Sequence, residues 1–147
     1  MSLDVSLYED TSEKYKEWEA KKANSIESSG DMKGLLPLIN EYYEDRKPKN
    51  IGSCVFSSKI THNLSKMARE AGIYMALWRP EEIEKRFAHE IIDLLEQGLL
   101  MLKQGPSYFK KFDSDNGWGT YDQFVPWVEA YLNACREYPD SIIEVSR

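Results

Sequence analysis

Few residues in this chain are equipped for chemistry. His62 and His89 are the only histidines, and Cys54 and Cys135 the only cysteines, in 147 residues. Two imidazoles cannot supply a metal site built mainly from histidine within one chain. His89-Glu90 followed by Asp93 lacks the second histidine that a helical zinc motif requires. On a helix His89 and Asp93 fall on the polar face, which predicts a solvated intrahelical pair. Cys54 and His62 have the right types for a thiolate–imidazole pair, but no third group stands at a recognisable spacing to orient the ring, so a structural cysteine is the simpler reading. The chain has no phosphate-cradling GxxxxGK[ST], no dinucleotide glycine fingerprint and no GxSxG elbow. These observations assign no catalytic residue, no metal and no cofactor.

Two stretches hold residue types that packing does not explain. In Thr61-His62-Asn63, read as helix, Thr61 and Asn63 flank the apolar stripe and His62 points away from it. The ordinary explanation is a capping hydroxyl and an amide bonded to a neighbouring loop. In DNGWGTY, Asp115 to Tyr121, two glycines allow positive φ on either side of Trp118. An indole held this way either plugs the edge of a core or forms the wall of a ligand site. Together with Tyr74 and Trp78 of the short apolar segment IYMALW, these stretches predict a small polar and aromatic ligand site of Thr61, Asn63, Tyr74, Trp78, Trp118 and Tyr121 in a non-enzymatic binding protein. The alternative is an acidic inhibitor or assembly factor that engages a basic protein partner. An enzyme ranks third, because it requires both histidines, or a histidine and a cysteine, close in space.

ITHNLSKMAREAGIYMALWRPEE and NGWGTY resemble a family of small proteins from phages and bacterial genomes, which share a THN-x-x-x-M helix, a tyrosine/tryptophan segment and, in close relatives, the NGWGTY loop. The resemblance covers Ile60 to Asp140 and implies a phage association. It implies no activity.

Composition bounds the rest. With 41% hydrophobic and 12% aromatic residues the chain is equipped to bury a core, and its length suits one domain without disulfides or a structural metal. A net charge of −6 opposes broad binding to a nucleic-acid backbone, which needs a basic face, but leaves room for a local basic patch. Two cysteines far apart suggest reduced thiols in a cytoplasmic protein. No apolar run reaches the roughly 18 residues of a membrane span, and no leader pattern is expected at the acidic N-terminus.

The elements that must position these residues are read from periodicity. Ile83, Phe87, Ile91, Leu94, Leu95, Gly98 and Leu102 predict one long central helix over Arg79 to Gln104, and Gly98 predicts a close neighbour. Thr11 or Ser12 caps a first helix with a narrow apolar edge. Asp31 caps a second helix, whose stripe Met32, Leu35, Leu36, Ile39, Tyr42 and Tyr43 should be buried, although Pro37 opens the alternative of a later start. Ser57 or Ser58 caps a helix through Ile60, Leu64, Met67, Ala68 and Ala71 that stops at Gly72. SYFKKF forms a short turn, and Thr120 with Gln123 boxes a last helix to Tyr138-Pro139, in which Pro126 leaves the start of the regular turns open. The first ten residues are expected to be irregular, and IGSCVF and SIIEV offer at most a minor two-stranded pairing. The expectation is a mainly α single domain of five or six helices. Surplus aromatic and apolar side chains at the ends of the central helix, among them Tyr74, Trp78, Leu100, Met101, Tyr108 and Phe109, predict a homodimer contact.

Overall fold

The computed structural model describes residues 2–28, 36–44 and 51–147. Its first element overturns the mainly α expectation. Leu3, Val5 and Leu7 alternate with Ser2, Asp4, Ser6 and Tyr8, the period-two pattern of a strand with one buried face, and Ser2–Asp10 is strand β1 with all three apolar side chains fully buried. Strand β3, Ile142–Ser146, runs antiparallel to it, with Asp4 opposite Ser146 and Tyr8 opposite Ile142. Strand β2, Ile51–Thr61, lies on its other side, giving the order β2-β1-β3. The fold is therefore mixed, with seven α-helices and a three-stranded antiparallel sheet among the described residues. The two strands expected at IGSCVF and SIIEV both exist but do not pair with each other, because the segment expected to be irregular stands between them.

The expected central helix is broken. After α4 (Tyr74–Trp78) the chain makes a 3-10 turn over Pro80–Ile83, and Glu84 then takes a left-handed conformation with φ 57°. Arg86 to Ala88 next runs beside β3: Ile143 N donates to Arg86 O at 2.8 Å, Ala88 N to Ser141 O at 3.0 Å, and His89 N to Pro139 O at 2.9 Å. Glu90 Oε1 accepts from the backbone N–H groups of Phe87 and Arg86, closing the turn. An edge strand needs partners for its outward N–H and C=O groups, and meeting that need outweighs the helical spacing of Ile83 and Phe87. Regular helix resumes only in α5, Ile92–Gln104, whose Leu95, Gly98, Leu99 and Leu102 are buried. A Cβ on Gly98 would stand 2.0 Å from Ile73 Cγ2, so the close neighbour expected at Gly98 is there. His89 lies outside α5, and its ring stacks on Phe87 instead of meeting Asp93.

The helix expected from Ser58 starts later than its stripe. β2 continues to Thr61, His62–Leu64 is a 3-10 turn, and α3 is Ser65–Glu70. Ile60, Leu64, Met67, Ala68 and Ala71 are buried nonetheless, and the chain leaves α3 at Gly72 with φ 78°. Short α6, Pro106–Phe109, and the 3-10 turn Lys110–Phe112 precede α7, Tyr121–Glu137, which carries Pro126 without ending.

The chain divides into two compact units, residues 9–53 and residues 1–8 with 54–147. In the first, α1 (Ser12–Ser28) meets α2 (Leu36–Glu44) through Trp18 Nε1 donating to Tyr43 O at 2.6 Å and a bond of 2.6 Å between the Ser25 and Tyr43 hydroxyls. Tyr43 is half-buried but Tyr42 is exposed, so the expected stripe is not fully covered. Asp31, Met32 and Leu35 lie outside the described residues. The second unit holds a core of Leu3, Val5 and Leu7 with Leu64, Met67, Leu77, Ile91, Leu95, Leu102, Phe124 and Tyr131.

Candidate functional site

β2 delivers the first half of the site. At its end Thr61 stays extended, with φ −68° and ψ 144°, and its hydroxyl accepts from Asn63 N at 3.3 Å, capping the 3-10 turn that follows. The turn aims Asn63 at the other half, the loop before α7. Asn63 Nδ2 donates to Trp118 O at 2.8 Å.

That loop is fastened at almost every residue. Trp118 N donates to Asn116 Oδ1 at 2.9 Å, Gly117 N to Ser114 O at 3.1 Å and Ser114 N to Gly119 O at 3.0 Å. Gln123 Oε1 accepts from Gly119 N at 3.1 Å and from Thr120 N at 3.2 Å, the return arm of the expected box. Gly119, at φ 104°, sits so close to the strand end that a Cβ there would lie 2.9 Å from Thr61 Cγ2. Nothing larger than glycine satisfies both the backbone angle and that gap. Yet the largest side chain of this pinned loop, Trp118, is 72% exposed.

Between the two halves lies an open cleft of about 580 Å³, within the size range of small-molecule sites. Of the predicted residues Thr61, Asn63 and Trp118 line it; Lys59, His62 and Asn116, with Ser2 and Ile60, complete it. Among the described residues the lining contains one cation and no carboxylate, in a chain with 25 acidic residues. Lys59 has no ion-pair partner among the described residues. A second groove of about 530 Å³ beside β3 mixes Glu81, Glu84 and Glu144 with Lys85 and Arg86 and shows no such selection.

The other three predicted residues stand elsewhere. Trp78 is buried behind the cleft and donates from Nε1 to His62 Nδ1 at 2.9 Å. An indole N–H can only donate, so in the neutral imidazole the proton sits on Nε2, on the side of the ring away from Trp78. Tyr74 is one layer further back, stacked on Trp78 at 5.3 Å, with its hydroxyl accepting from Arg79 Nε at 3.4 Å. That hydrogen bond, with help from Arg69, lowers the phenol's pKa from its ordinary value against a smaller opposing effect of burial. Tyr121 belongs to the core: its hydroxyl donates to Leu102 O at 2.7 Å. Trp78 and Tyr74 therefore position His62, and Tyr121 holds α7 to α5.

A helix over Lys59 to Asn63 turns His62 outward, whereas the strand that runs to Thr61 and the 3-10 turn after it bring His62 to the cleft. Strand alternation up to Thr61 would have placed Lys59 and Thr61 on one face, and the Asn-Gly step at 116–117 was the signal for Asn116. Cys54 is exposed on β2 and donates to Phe56 O at 3.2 Å, and the strand stays extended from Cys54 to Thr61, at about 3.3 Å per residue, which sets the thiol too far from His62 for a nucleophile–base pair. Among the described residues no group of three or more His, Cys, Asp or Glu is placed to hold a metal ion. No described helix is long and apolar enough to cross a membrane. Comparison with protein-family models, curated proteins and solved structures finds no match.

Proposed function

We propose that the chain is a non-enzymatic binding protein, phage-associated by its resemblance and cytoplasmic by its free thiols, whose site is the cleft between the Lys59–Asn63 strand end and the Asn116–Trp118 loop. The observation that carries this reading is the Asn63–Trp118 bond, which joins the two stretches that packing does not explain into one lined space. A fixed backbone that presents an indole to solvent forgoes roughly 2 kcal/mol or more of burial, a cost that a ligand stacked on the ring would offset. The test is a thermal-shift screen of small metabolites on the wild type, W118A and N63A. Compounds that raise the Tm of the wild type are expected to lose their effect in both variants and to keep it in L100A, whose substituted residue lies outside the cleft. Shifts that survive in W118A and N63A, or no shift from any compound, would set the reading aside.

The reading of an acidic inhibitor acting on a basic partner draws little from α1. Glu13, Glu17, Glu19 and Glu27 are matched there by Lys14, Lys16, Lys21 and Lys22. A homodimer remains part of the proposal, and it would rest on Leu100, Met101 and Tyr108, which are exposed, since Trp78 and Phe109 are buried within the chain.

A further inference from the structure

We propose that the cleft takes a nucleotide unit, with its base stacked on Trp118 and its phosphate at Lys59. This rests on the binding-site reading above and adds the chemical class of the ligand.

Three properties of the lining converge on that class. The first is the flat, exposed face of Trp118 on a loop that cannot easily move, the form in which aromatic side chains serve as stacking platforms for bases. The second is charge. Among the described residues Lys59 is unpaired and no carboxylate lines the space, so an anion is favoured over a cation or a neutral sugar. The third is the hydrogen-bonding inventory. Asn116 Oδ1 is taken up by Trp118 N and by the Ser114 hydroxyl at 2.5 Å, and its Nδ2 hydrogens have no partner among the described residues. Asn63 spends one Nδ2 hydrogen on Trp118 O and keeps the other. The bond from Trp78 makes neutral His62 a donor through Nε2. Donors therefore outnumber acceptors, as an acceptor-rich phosphate and the acceptor edge of a base require.

The unit can reach the cleft free or as part of a single strand. Beyond Asn63 two cation–ring pairs join α3, α6 and the turn after it: Lys66 Nζ stands 5.4 Å from the Phe112 ring centre, and Lys111 Nζ 5.7 Å from that of Tyr108, whose hydroxyl donates to the single carboxylate among them, Glu70 Oε2, at 2.9 Å. A neighbouring phosphate and base would meet cations and rings there. This local patch is compatible with a net charge of −6, which opposes only broad, sequence-independent binding.

The experiment titrates the full chain with the four nucleoside monophosphates, the matching nucleosides and a short single-stranded oligonucleotide, following tryptophan fluorescence, with W118F subtracting the signal of the other three indoles. Quenching is expected with monophosphates or with the oligonucleotide, weakened tenfold or more by W118A and largely retained by W118F in a competition format. K59Q is expected to bring a monophosphate down to the affinity of its nucleoside and to lower the salt dependence by about one counterion. Binding of the oligonucleotide alone, reduced by K66Q and K111Q, identifies the single strand as the source. Binding of monophosphates unaffected by those variants identifies the free nucleotide. Absence of quenching by both at millimolar concentration overturns the inference. If a non-nucleotide aromatic acid or a sugar then still binds at Trp118, the ligand class falls and the cleft reading survives. If W118A abolishes nothing, both fall.

Discussion

Tyr131 shows what one side chain costs the fold. It is fully buried, and its hydroxyl and the Nε1 of Trp127, stacked on it at 5.8 Å, have no hydrogen-bond partner among the described residues. An orphaned polar atom in a core carries a desolvation penalty of about 1–3 kcal/mol, so Y131F is expected to stabilise the protein by about 1 kcal/mol at neutral pH. Burial also raises the Tyr131 phenol well above its ordinary 10.0 and pushes the Cys135 thiol from 9.0 up to about 12. Both groups are neutral in the folded chain while the unfolded chain ionises at ordinary values. Their contribution is therefore complete below pH 9 and is lost as pH rises above it, at up to about 1.4 kcal/mol per pH unit per group. Urea unfolding from pH 8 to 11 should show the wild type falling from pH 9, C135A from pH 10, and the double variant with Y131F nearly level. A C135A curve that tracks the wild type between pH 9 and 10 would refute the assignment to Cys135. The site residues are less visible in the sequence. Asn63 and Trp118 stood out as unexplained residue types, whereas His62 and Lys59 depended on knowing where β2 ends.

At the scale of elements, Gly98 is the most exposed to test. Replacing it by alanine should gain about 1 kcal/mol of helix propensity, but the new methyl meets Ile73 Cγ2 at 2.0 Å. A net loss of about 1–3 kcal/mol is expected for G98A, shrinking in an I73A background where that carbon is gone; a double-mutant cycle reads the difference. Additive costs would mean that α5 and Ile73 do not touch. This contact was legible because an unfavourable residue inside a strong helix pattern demands a reason, and the Thr120–Gln123 box and the stop at Gly72 were legible for similar local reasons. The break at Glu84 to Phe87 was not. Its cause is hydrogen bonding to Ser141 and Ile143, far along the chain, and a helical spacing of apolar residues carries no mark of a distant edge strand. β1 was missed differently: Leu3, Val5 and Leu7 show their period plainly, but only to a search for period two.

For the molecule as a whole, self-association is open to measurement. Leu100 is 56% exposed, and Met101 and Tyr108 are each 47% exposed, at the end of α5 and in α6. If they form the proposed dimer contact, light scattering at micromolar concentration should give twice 17.1 kDa for the wild type and 17.1 kDa for L100E. A wild type at 17.1 kDa removes the dimer and leaves those side chains as ordinary surface. The strand order has a further consequence, in the rate of folding. β1 lies between two neighbours and pairs with β3, Asp4 opposite Ser146, so closing the sheet brings together segments far apart in sequence. Closure over so long a span is slow. Until it happens the strand of Leu3, Val5 and Leu7 keeps an open apolar edge, which makes the folding chain a natural client for a chaperone that shields exposed strands.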